Sequence, residues 1–312
     1  MALIILQQIL TMALYMICGY LLYKSGKITD EGSKSIANLL PWVIIPSTLI
    51  NSFLTDYSAE KMRELLISFG MAALTLLIAM IIGILFFRNS GIECFAASFS
   101  NAGFIGIPLV QATVGSEGVF YLSGMLFLLN LLQWTYGVWL LTRGKTNGSG
   151  KVPKMTLRSV LLSPIVVCAI VGILIFSTGL GTKLPPVLNI FIGGLVQVNA
   201  PIAMIVLGIY LARTKISELF TTRRLYFVSG VRLLLIPVVT LLIFAILPVP
   251  YMIKITMLIA GAAPVGANVA VYAQLYDEDY AYACQTVTQS TLFSILTLPV
   301  VIWIAEKLMT GA

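Results

Sequence analysis

Residues 98–109 read Ser98-Phe99-Ser100-Asn101-Ala102-Gly103-Phe104-Ile105-Gly106-Ile107-Pro108-Leu109. They stand in the middle of an apolar stretch, about 94–115, that is long enough to cross a bilayer as one helix. Their composition resists that helix. Proline removes a hydrogen bond and clashes with the preceding turn, at about 3 kcal/mol or more. Each glycine adds roughly 1 kcal/mol relative to alanine. A second stretch, Gly261-Ala262-Ala263-Pro264-Val265-Gly266-Ala267-Asn268, repeats the conflict inside 255–276. A helix broken in hydrocarbon frees N–H and C=O groups, which is tolerable only where they are buried or line a wet cavity. Interrupted segments at corresponding places in two halves point to the binding site of a secondary transporter. The plain alternative is a pair of kinked helices packed closely through glycine.

The surrounding chain supplies the membrane. Of its 312 residues, 59% are apolar and 10% charged, and the mean hydropathy is +1.00. A soluble domain carries about 25% charge and roughly 45–50% apolar residues, so too little polar surface exists here to cover a globule in water. This excludes a disordered chain and argues against a nucleic-acid binder or a soluble enzyme. Ten segments are long enough to span: 2–23, 35–54, 65–87, 94–115, 118–142, 159–182, 184–212, 225–253, 255–276 and 280–305. The alternation of a membrane barrel is absent, so the expectation is an all-α integral membrane protein. The first segment lacks a basic start and an A-x-A-like cleavage site, and reads as a span rather than a signal peptide.

The net charge of +7 reports orientation before it reports any anionic partner. Thirteen of the 19 basic residues fall in loops that follow odd-numbered spans and five on the other side, with Arg232 left inside a span. The positive-inside rule makes the first side cytoplasmic and puts both termini outside, as expected for a multi-pass protein of the plasma (bacterial inner) membrane. The absence of histidine removes imidazole metal sites, Ser–His and Cys–His catalysis and histidine proton relays. Cys18, Cys94, Cys168 and Cys284 stand singly in apolar runs, which predicts buried free thiols and no metal site. No cofactor is indicated, and neither a catalytic dyad nor metal-ligand spacing suggests an enzyme.

Residues 143–158 form the longest link, with Gly144, Gly148, Gly150 and Pro153 among five basic residues. They read as a solvated cytoplasmic linker. Gly150-Lys151 lacks the glycine spacing and the Ser or Thr of a phosphate loop. Asn147-Gly148-Ser149 has the glycosylation form but lies on the cytoplasmic side. The linker separates residues 1–142 from 159–312, five spans each. If the two are repeats, the odd span count makes them inverted. A shift of 160 residues pairs Gly19 with Gly179, Pro41 with Pro201, Arg63 with Arg223, Gly70 with Gly230, Gly106 with Gly266 and Glu117 with Asp277. Total identity is no better than composition would give. The support is that rarer residues coincide and helix boundaries fall in register.

At Asn101 and Gly106-Ile107-Pro108-Leu109 the sequence resembles the fourth helix of the auxin efflux carrier family, which includes plant PIN carriers and bacterial relatives. Tyr20 with Lys24 and Lys27, then Pro41 and Pro46, resembles that family's first hairpin. Leu298-Pro299 resembles its last helix. The resemblance spans nearly the whole chain, without the long cytoplasmic loop of the large plant carriers. It implies two inverted five-helix repeats, a crossing of broken fourth and ninth helices as in bile-acid symporters and sodium–proton antiporters, and elevator-like alternating access. It also implies that Asn101 contacts a substrate carboxylate. Asn130 lines up with a polar fifth-helix position near the same site, and Pro108 and Pro264 take the helix-breaking role. Around Asn268 the chain departs from the plant pattern.

The expected site therefore comprises Asn101, Gly106, Pro108, Asn130, Pro264, Gly266, Asn268 and Arg232. Arg232 either snorkels to the interface or faces the cavity and attracts an anion. The twelve acids sit at span ends and in loops, which counts against a mechanism built on intramembrane carboxylates. Asp277-Glu278-Asp279 reads as the start of the tenth helix. The other polar residues in spans, among them Asn38, Asn51, Gln111, Gln133, Gln197, Asn199, Gln285 and Gln289, read mostly as interhelical bonds of about 0.6 kcal/mol each. Asn38 and Asn199, beside Pro41 and Pro201, are further cavity candidates. The functional expectation is a secondary carrier for a small organic anion, with the bilayer as its other partner and no nucleic acid. A sodium-coupled symporter of the bile-acid type and a channel are the alternatives. Sodium or proton coupling and a homodimer remain open at this point.

Overall fold

A computed structural model describes residues 2–143, 162–214 and 216–310, and within them the chain is helical apart from turns and one isolated bridge. The predicted linker lies outside the described residues except for Arg143. In chain order the helices begin with α1 (Ala2–Lys24), α2 (Asp30–Leu39), α3 (Ile45–Ser52), α4 (Ala59–Phe87), α5 (Gly91–Ser98) and α6 (Ile107–Thr113). Then come α7 (Ser116–Leu132), α8 (Val138–Thr142), α9 (Pro164–Ser177), α10 (Pro186–Gln197) and α11 (Asn199–Arg213). The last six are α12 (Ile216–Thr221), α13 (Arg223–Gly230), α14 (Ile236–Ile246), α15 (Tyr251–Ala262), α16 (Asn268–Leu275) and α17 (Tyr280–Thr310). Among the described residues, six helical stretches are long and apolar enough to cross a membrane. Of three shorter apolar helices, Ala102–Thr113 and Pro164–Ser177 lie within predicted spans, whereas Tyr251–Ala262 straddles the predicted boundary between 225–253 and 255–276.

Helix starts follow from local chemistry. Thr29, Ser58, Ser90 and Ser163 each accept a backbone N–H of the first turn through the side-chain oxygen, satisfying a donor that the helix itself leaves open. Gly115, at φ 81°, makes the tight turn from α6 into α7 in a backbone region that favours glycine.

Prolines inside apolar runs are absorbed rather than excluded. Pro46, Pro108 and Pro237 each occupy the second residue of a helix, directly after the π-helical turns Leu40–Ile44, Ala102–Gly106 and Val231–Leu235. The residue before each proline donates across the wide turn, as Ile107 does to the Ala102 carbonyl. The wide turn relieves the clash that a proline ring makes with the carbonyl four residues back. This corrects the helix-breaking role expected of Pro108. The fourth segment parts earlier, at Phe99–Asn101, and Pro108 lies inside its second half.

Close packing sets the frame around the site. α1 and α11 approach through Gly19 and Gly208, where a Cβ would collide with the backbone of Ile205 and Met16 respectively. Polar spans pair as predicted in part: Ser229 donates to Gln289 at 2.8 Å, Gln289 donates to the Leu219 carbonyl at 2.5 Å, and Gln285 donates to Glu218 at 2.6 Å. Glu93, near the start of α5, is almost wholly buried. It accepts from both Nε and Nη2 of Arg224 and from the Tyr282 hydroxyl, tying α5, α13 and α17 together.

Candidate functional site

The two interrupted stretches meet. Ser100 and Val265 form an antiparallel bridge. The Asn101 N–H donates to the Pro264 carbonyl at 2.8 Å, and the Gly266 N–H donates to the Phe99 carbonyl at 3.0 Å. Each break thus satisfies backbone groups that hydrocarbon would leave bare. The Val265 N–H is taken by Ser290 of α17 at 3.1 Å. A Cβ on Gly266 would stand 3.1 Å from the Ser100 carbonyl oxygen and 3.2 Å from that of Phe99, so the bridge is close enough to favour glycine there. Pro264 lies in the break itself, consistent with its missing N–H.

On one side of this crossing the carbonyl ends of α5 and α15 converge on Arg232. Its side chain is 1% exposed. Nη1 donates to the Ala97 carbonyl at 2.9 Å, Nε to that of Ala263 at 3.1 Å, and Nη2 to that of Gly261. The negative ends of two helices and their orphan carbonyls are met by one guanidinium. Arg232 therefore neither snorkels to an interface nor lines the cavity described next, because all three of its nitrogens are engaged inside the crossing.

On the other side lies a cavity of about 360 Å³. The starts of both outgoing half-helices line it: Ser100, Asn101, Gly103 and Phe104 from one, and Gly266, Ala267 and Asn268 from the other. Asn101 caps its own turn, its Oδ1 accepting the Phe104 N–H at 3.3 Å, while its Nδ2 is buried without a partner among the described residues. Asn268 Nδ2 donates to Gln133 Oε1 at 2.8 Å, which leaves Gln133 Nε2 buried and unpartnered. Asn130 Oδ1 is likewise buried without a partner. The cavity wall thus carries two amide donors and one amide acceptor whose capacity the protein does not use. Buried polar groups are nearly always paired, so this deficit is informative.

Apolar side chains complete the wall, including Ile45, Leu126, Leu129 and Ile165. The cavity also meets Lys34 and Arg213, and no acid is among its lining residues. Arg213 reaches Asp30 at 2.5 Å and donates to Ser33 Oγ at 2.5 Å. Asp30 is held below the usual carboxylate range by the Tyr23 hydroxyl first and Arg213 second.

Of the predicted site residues, Asn101, Asn130, Gly266 and Asn268 come together in this cavity, and Asn38 joins them. Gly106 packs beside Ala260. Pro108 lines a separate chamber of about 330 Å³ with Gln111, Gln197 and Asn199. Pro264 and Arg232 belong to the crossing behind the wall. Gln133, Lys34, Arg213, Tyr210 and Tyr280 are cavity residues that sequence reasoning did not assign.

Residues 4–302 match the family described as Membrane transport protein, the family of the auxin efflux carriers. The chain belongs to this family. Over 305 residues it is also 24% identical to an uncharacterized transporter of Methanothermobacter thermautotrophicus, covering 94% of this chain and 96% of that protein. Membership makes the chain a multi-pass protein of a transport family, in keeping with its long apolar helices.

Proposed function

We propose that this family member is a secondary carrier for a small organic anion, and that the carboxylate sits in the cavity at Asn101, Gln133 and the starts of the two outgoing half-helices. The observation that carries the reading is the pair of unpartnered buried donors, Asn101 Nδ2 and Gln133 Nε2, on residues that line a cavity together with two cations and no acid. Carboxylate oxygens accept several hydrogen bonds, and helix N-termini favour negative charge. An amide site carries no formal charge, so it binds moderately and releases readily. The apolar wall suits the body of an auxin-like or other carboxylate, and Lys34 with Arg213 suits a second carboxylate in a dicarboxylate.

In this reading the chain crosses the membrane ten times, as inverted repeats over 1–142 and 159–312 joined by the linker 143–158. Both termini lie outside the plasma membrane, and the cavity opens toward the basic, cytoplasmic side. The crossing and its half-helices move together as an elevator. The test is uptake by the full chain in reconstituted vesicles against malate, malonate, other carboxylates and indole acids. Saturable transport of at least one, with efficiency reduced roughly tenfold in Asn101→Ala, is expected. Wild-type kinetics in that variant sinks the site assignment, and a strict need for a sodium gradient replaces the reading with a sodium symporter.

A further inference from the structure

Away from the crossing, a groove of about 440 Å³ runs along the outside of α13 and α14. Tyr226, Phe227, Gly230, Val231, Leu234, Leu235 and Val238 recur along one helical face, and Phe86 of α4 closes one wall. From first to last these positions cover about 18 Å at the helical rise, a little more than one leaflet of hydrocarbon. Gly230 makes the floor: a Cβ there would meet nothing within 4 Å. The aromatic wall is fixed by Phe227 packing on Phe86 and Phe87, with ring centroids 5.9 and 5.3 Å apart.

The groove begins beneath a positive end. Arg223, exposed, opens α13 on the face that continues through Tyr226, Phe227 and Gly230. Its neighbour Arg224 is engaged with the buried Glu93. Thr222, at the cap, makes no side-chain hydrogen bond to the first turn, so the helix start keeps N–H donors for an outside acceptor. An apolar channel one leaflet deep, headed by a cation and an open helix start, has the charge and shape of one lipid class.

We propose that this groove is a specific site for an anionic phospholipid, with one acyl chain over Gly230 and the phosphate at Arg223 and the start of α13. The inference is independent of the transport reading. It is tested by native mass spectrometry of the full chain in detergent, titrated with dioleoyl phosphatidylglycerol or dioleoyl phosphatidylcholine. The first phosphatidylglycerol is expected to bind about fivefold tighter than phosphatidylcholine. Arg223→Gln removes that preference, and Gly230→Leu weakens the first site roughly tenfold for both lipids. Gly230→Val, which fills less of the groove, gives a smaller loss and serves if the leucine variant fails to fold. Gly70→Leu, at an open glycine of α4 that the shifted alignment pairs with Gly230, leaves binding unchanged. Equal binding of the two lipids, a preference that survives Arg223→Gln, or full affinity in both Gly230 variants overturns the proposal. Displacement of phosphatidylglycerol by glycerol 1-phosphate, which has no acyl chain, overturns it in favour of a free phosphate ester.

Discussion

The two sides of the crossing handle polarity in opposite ways. Behind the wall, Arg232 is buried with each of its three nitrogens donating to a helix-end carbonyl. In front of it, Asn101, Gln133 and Asn130 present amide atoms that the protein leaves unpaired. At the crossing the buried guanidinium serves the scaffold, whereas the unpaired amides belong to residues that line the cavity, together with Lys34 and Arg213. Such a division lets a site hold an anion through dipoles without the deep well that an exposed guanidinium would create. It also separates two kinds of defect, one in folding and one in binding.

The largest effect that tests this division is the loss of Arg232. Arg232→Leu strands three buried carbonyls and two helix ends, and stability should fall by about 3–5 kcal/mol, read as a lower melting temperature in detergent. A wild-type melt would falsify its role at the crossing. Gly266→Ala comes next. Its Cβ presses on the Phe99 and Ser100 carbonyls, so about 1–3 kcal/mol should be lost, with transport and stability falling together.

Asn101→Ala should split the two readouts. Transport efficiency drops roughly tenfold for the lost charge-assisted donor, while the melt moves by only the value of a cap, about 1 kcal/mol. Equal damage to both would erase the distinction between the two sides. Glu93→Gln probes the crossing from a distance: loss of the charged pairing with Arg224 should cost about 1–3 kcal/mol and leave substrate affinity unchanged. A change in affinity would tie that cluster to the cavity.

The smallest effect concerns pH at the cavity edge. Asp30 has a depressed pKa in the folded chain, so its pairing with Arg213 is complete above the ordinary carboxylate range and is lost only as pH falls through the lowered value. Substrate affinity should therefore be flat from neutral pH down to that range. Asp30→Asn, which removes the carboxylate but leaves Arg213 on Ser33, should tighten anion binding slightly and lower the melt a little. A titration of affinity near neutral pH in the wild type would point to a group other than Asp30.

Much of this plan was legible in the residues because hydrocarbon leaves a chain few options. The apolar runs, the glycine-rich interruptions and the isolated Arg232 all stand out against a membrane composition. The positions of the breaks were less legible. Proline announces trouble in a helix, but a π-helical turn absorbs it at Pro108, and the real parting lies where the partner break at Pro264–Gly266 supplies hydrogen bonds. That pairing is tertiary and leaves no local mark. Gln133 looked like any polar residue in a span, since spacing along one helix does not show which neighbour takes which amide atom. By position Arg213 and Lys34 read as loop charges at span ends, and only the packing of α2 beside α11 brings them to the cavity.

The bridge between Ser100 and Val265 has a consequence for how such a chain can be assembled. Each interruption supplies the acceptors and donors that the other lacks, so neither is complete by itself in hydrocarbon. A polypeptide divided between residues 143 and 164 should yield two fragments that are unstable when produced singly and recover when produced together.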